Sequence, residues 1–87
     1  MAQLRINIKL HAKEQFRRRD PKHRAAKTLR PLVESRLRKA IRLGAKLDDR
    51  GALRVWLGAG LVAICYPEVG EWVVVTVIGN QVREPAG

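Results

Sequence analysis

Leu4, Ile6, Ile8 and Leu10 alternate with Arg5, Asn7 and Lys9. A period of two with one polar face predicts a half-buried strand over residues 3–10. The alternation ends at His11. Residues 11–19 contain no β-branched residue, and Ala12 and Phe16, four apart, predict a short helix with that pair on its inner side. Asp20 and Pro21 close this helix and suit the N-cap and first helical position of a second one over residues 21–43. Its expected inner face is Ala25, Leu29, Val33, Leu37, Ala40 and Ile41, with Gly44 at the C′ position. Pro31 is expected to kink or split the helix near Leu29 and Arg30, because it removes a backbone donor.

Beyond a loop over residues 45–51, the period returns to two. Three β-rich runs, 52–57, 61–66 and 72–78, are separated by Gly58-Ala59-Gly60 and Pro67-Glu68-Val69-Gly70. Connections this short predict an antiparallel meander. The last run has Thr76 as its one polar member, so it is expected to be a central strand covered by helix on one side. The fold class is therefore α+β: a strand, two helices, then a three-stranded antiparallel meander, with the helices packed on one face of an antiparallel sheet. Residues 1–87 are expected to form a single domain.

Charge changes the picture. The chain carries 18 Lys and Arg against 8 Asp and Glu, a net +10. Residues 1–54 hold 17 of those cations with Glu14, Asp20, Glu34, Asp48 and Asp49, a net +12; the remainder is −2. Such an imbalance destabilises a small compact state unless a polyanion neutralises it. The run Arg17, Arg18, Arg19, Lys22, Arg24, Lys27 and Arg30 is rich in Arg, which suits bidentate phosphate contact, and points to nucleic acid, above all RNA. A solvated helix face is the plainer account of such a run. Trp56 shares a strand face with Arg54, an arrangement that either holds an unpaired base or packs in the core or at a sheet edge.

Other chemistries lack their residues. One cysteine, Cys65, in an apolar run excludes an internal disulfide, reads as a buried small hydrophobe and fits a reducing cytoplasm. With two histidines it gives no metal set, so neither metal nor cofactor is expected. The apolar runs are too short to span a membrane, and no signal peptide is expected at the N-terminus. No Gly-rich phosphate loop or paired carboxylates occur. His11, Gln15 and Arg19 fall at i, i+4 and i+8, one polar stripe on the first helix. His11 and Arg19 are then roughly 12 Å apart along the axis, too far to share one phosphate. In an RNA-cleaving site His11 would transfer protons and Arg19 would hold a neighbouring phosphate; a lone His at a strand–helix junction is otherwise a cap or surface residue. His23 reads as part of the charged surface.

The segment His11-Ala12-Lys13-Glu14-Gln15-Phe16-Arg17-Arg18-Arg19, after a short strand, resembles the His-Ala-x-Glu-Arg-x-x-x-Arg opening of a family of small bacterial and phage proteins related to the RelE and BrnT toxins. Residues 73–78, Val-Val-Val-Thr-Val-Ile, look like that family's last strand. The resemblance implies a barnase/RelE-like ribonuclease fold. His11 and Arg19 match its motif, Thr76 matches the polar member of its final strand, and Gln15 stands where the pattern has Arg. Arg83 is the one Arg, Tyr or His after the last strand. The resulting expectation is a small basic RNA-binding protein acting as a toxin-like endoribonuclease by metal-independent acid/base chemistry. RNA, whether ribosome-associated or tRNA, and an acidic antitoxin or host protein are the partners it implies. The alternative is a non-catalytic accessory factor, phage-encoded or otherwise, that binds nucleic acid or a host protein.

Overall fold

A computed structural model describes residues 4–20 and 26–79. The order is β1 (Ile6–Ile8), α1 (Leu10–Arg19), a 3₁₀ turn (Ala26–Thr28), α2 (Leu29–Arg42), β2 (Leu53–Gly58), β3 (Leu61–Glu68) and β4 (Glu71–Gly79). The four strands form one sheet in the order β1-β4-β3-β2. β2, β3 and β4 pair antiparallel in succession, while β1 runs parallel to β4. The sheet is thus mixed, not antiparallel throughout. The reason is the crossover: the chain leaves β1, passes through both helices and two strands, and returns beside β1 in the same direction. Backbone bonds from Trp72 N to Arg5 O (2.8 Å) and from Lys9 N to Val74 O (3.0 Å) fasten the short edge strand at both ends.

One face of this sheet carries both helices. Ile6 and Ile8, Leu53, Val55 and Leu57, Leu61, Ala63 and Cys65, and Val74 and Val77 join Ala12, Phe16, Leu29, Val33 and Leu37 in a single core cluster. α1 lies chiefly on β4 and α2 on β2. Val74 and Val77 are three apart, which breaks strand alternation. A bulge accounts for this: Ile64 pairs with Thr76 and Cys65 with Val74, leaving Val75 as an extra residue. β4 is an interior strand covered by helix on one side, as its apolar run predicts.

The helix boundaries differ from expectation in instructive ways. Leu10 is the first residue of α1 and is 70% exposed; the alternation that included it runs two residues past the strand, which spans Ile6–Ile8. α2 begins at Leu29, so Pro31 sits in its first turn, where the missing donor would have had no intrahelical partner. The helix expected over 21–43 is thus shorter at its start: residues 26–28 form the 3₁₀ turn, and residues 21–25 lie outside the described residues. Leu29, Val33 and Leu37 are fully buried, Ala40 partly, and Ile41 faces outward at 45% exposure; Ala25 lies outside the described residues. At the other end, Gly44 (φ +76°) donates to Ile41 O and Ala45 donates to Ala40 O, each at 3.0 Å. This is a Schellman cap, which needs the left-handed residue that glycine supplies.

A candidate nucleic-acid interface

All fifteen Lys and Arg among the described residues are exposed. Their distribution follows the layers. α1, the 3₁₀ turn and α2 carry ten cations, Lys13, Arg17, Arg18, Arg19, Lys27, Arg30, Arg36, Arg38, Lys39 and Arg42, against Glu14 and Glu34, a net +8. β2, β3 and β4 carry Arg54 against Glu68 and Glu71, a net −1. The helices can take cations because only one stripe of each faces the sheet: Ala12 and Phe16 on α1, and Leu29, Val33 and Leu37 on α2.

Few of these charges are spent on carboxylates. Arg38 Nη2 lies 3.0 Å from Glu34 Oε2, an exposed i, i+4 pair of small energetic weight. Arg54 Nε lies 3.8 Å from Asp48 Oδ2. Arg30 has a structural task, since its Nη1 donates to the Ile6 carbonyl and ties the start of α2 to β1. Arg17, Arg18 and Arg19 fill the last turn of α1, where cations are favoured by the helix dipole.

The predicted stripe of His11, Gln15 and Arg19 is present on α1. His11 and Arg19 are exposed and Gln15 is half-buried. Arg19 Nε donates to Gln15 Oε1 at 2.9 Å, and Arg19 Nη1 lies 3.5 Å from where a Cβ would stand on Gly79, at the end of β4. Gln15, Arg17 and Arg18 line a shallow depression with Glu14. Thr76 lies elsewhere. It lines a groove of about 570 Å³ with Asp48, Arg50, Arg54, Ile64 and Tyr66, on the sheet face opposite the helices. His11 and Arg19 are not among the residues lining that groove, so the structure does not bring the three resemblance-implied residues together. Lys27 and Arg30 are exposed; Lys22, His23, Arg24 and Arg83 lie outside the described residues.

The groove, not foreseen from the sequence, forms where the 45–51 loop meets the open sheet face. Asp48 organises that loop. Its Oδ1 accepts from Arg50 N and Ala52 N, both at 2.9 Å, and its backbone N donates to Ala52 O. Those two amides, with Arg54 and Arg50 nearby, hold its carboxyl below the usual carboxylate range. The Asp-Asp-x-Gly turn was the available signal. Cys65 is fully buried, and desolvation pushes its thiol up to about 12, so it acts as a small hydrophobe. Among the described residues no set of three or more His, Cys, Asp or Glu comes together to hold a metal, and no helix is long and apolar enough to cross a membrane. Comparison of the chain with models of known families, with curated proteins and with solved structures finds no match.

Proposed function

We propose that the protein binds RNA through phosphate contacts made by its cationic helical layer. One observation carries the reading: among the described residues, α1, the 3₁₀ turn and α2 carry ten exposed Lys and Arg against Glu14 and Glu34. Counterion release from RNA supplies affinity to such a surface without any sequence-specific contact. The test is charge reversal. Arg17→Glu combined with Arg18→Glu, both on exposed positions, is expected to abolish RNA binding in a fluorescence-anisotropy titration while the far-UV circular dichroism stays unchanged. Unaltered RNA affinity in that folded variant overturns the reading. Cytoplasmic RNA is the polyanion this reading implies.

The narrower form, a toxin-like endoribonuclease of RelE-like fold, rests on the His-Ala-x-Glu motif, and the exposure of His11 on the first turn of α1 favours it. In that form His11 moves protons to or from the 2′-hydroxyl while Arg19, two turns away, holds a neighbouring phosphate. Incubation with total RNA separates the two forms. Cleavage by the native protein that disappears in His11→Ala supports the enzyme; RNA bound and left intact removes it and leaves the binding protein.

A further inference from the structure

The β2 margin joins the two layers and carries an aromatic ring. β2 is an edge strand whose Val55 and Leu57 point into the core, so Arg54 and Trp56 stand on the open face. Trp56 is 52% exposed, a large cost in unburied apolar area for a residue so close to the core. A cation lies toward each end of this strand. Arg54 is two residues away, about 7 Å along the strand, with Arg50 beside it in the groove wall. At the other end, Arg36 reaches from α2 to β2, its Nη2 4.0 Å from where a Cβ would stand on Gly58. Two carboxylates also line the groove: Asp48, committed to two amides and Arg54, and the exposed Asp49 at its rim.

From this juxtaposition we infer that the β2 margin holds single-stranded rather than duplex RNA, with an unpaired base stacked on Trp56 and flanking phosphates on Arg36 and Arg54. The inference rests on the RNA-binding reading and adds the form of RNA. An exposed indole between cations offers what single strands recognise: a π-face for the base and charge for the backbone. A duplex keeps its bases stacked on one another and has nothing to offer the ring. The half-exposed Ile64, Tyr66 and Ile78 continue the surface across β3 and β4, so the chain of bases has an apolar floor beyond Trp56.

The experiment is an anisotropy titration of the full chain with two fluorescent RNAs of equal charge, an unstructured 12-nucleotide oligomer and a stable hairpin whose strands are joined by a non-nucleotide linker, so that it has no unpaired base. Native protein is expected to prefer the oligomer. Trp56→Ala is expected to lose about tenfold of that affinity, in the range for one stacked base, and to leave hairpin binding unchanged. Trp56→Phe is expected to recover most of the loss, which a merely structural role would not predict. Equal affinity of native protein and Trp56→Ala for the oligomer overturns the inference while the RNA reading stands. Equal or better binding of the hairpin by the native protein does the same. Failure of the native protein to bind either RNA overturns both.

Discussion

Arg19 donates its Nε hydrogen to Gln15 one helical turn earlier, at 2.9 Å, so the cation is held in place by a neutral partner. A carboxylate at position 15 would spend the charge; an amide orients it and leaves it available to phosphate. Arg19→Ala is therefore expected to weaken RNA binding uniformly across sequences. It is expected to reduce the slope of log affinity against log salt by about 0.7 for a single strand. The folding stability of this exposed position is expected to change by less than about 0.5 kcal/mol. Salt titrations of native protein and variant measure the slope, and thermal unfolding measures the stability.

Phe16 is the largest fully buried side chain and joins α1 to the sheet. Phe16→Ala removes its transfer free energy and leaves a cavity, a loss of about 3–5 kcal/mol. For a domain this small that is a large part of the total stability. Urea unfolding is expected to show a much lower midpoint, or no cooperative transition at all.

The β2–β3 hairpin stores strain that substitution can release. Ala59 has φ +53° and Gly60 φ +77°, the two positive values of a type I′ loop between Gly58 and Leu61. A Cβ in the left-handed region costs on the order of 1 kcal/mol. Ala59→Asn keeps the Cβ but suits the left-handed region better through its local side-chain hydrogen bonds, and is expected to stabilise the protein by about 0.5 kcal/mol and raise Tm by about 2–4 °C. Calorimetry showing no gain removes this account of the turn.

Asp48 sets an acid limit. Its carboxyl is held below its ordinary value by the Ala52 and Arg50 amides first and by Arg54 and Arg50 charge after. A lowered folded-state value means the unfolded chain binds the proton more tightly. Its contribution is therefore present above the unfolded value and is lost as pH falls below about 4. Asp48→Asn is expected to be less stable than the native protein at neutral pH, with the difference shrinking as the medium is acidified through that range. A difference that stays constant with pH would show that the charge has no part in the loop.

Local patterns made most of the fold legible. Alternation in residues 52–57 and 61–66, the spacing of Ala12 and Phe16, and Gly44 after Leu43 each report one element; β2, β3 and α1 stand within a few residues of their expected places, and α2 ends where expected but begins at Leu29 and not at residue 21. Long-range choices were not legible. Nothing local in Ile6-Asn7-Ile8 states that this strand pairs parallel with β4, because the partner lies more than sixty residues away. The bulge at Val75 was equally hidden, since an all-apolar run shows no alternation to break. Of the candidate site, the polar stripe on α1 followed from spacing alone. The separation of Thr76 from His11 and Arg19 did not, because it depends on which side of the sheet the helices cover.

The measurement that bears most directly on the cationic helical layer is the salt dependence of RNA affinity. An unstructured oligomer titrated with native protein across a series of potassium chloride concentrations is expected to give a straight line in log affinity against log salt. The slope is expected to be about −3 or steeper, as for four or more neutralised phosphates. A slope near zero, or no binding even at the lowest salt, would contradict the account.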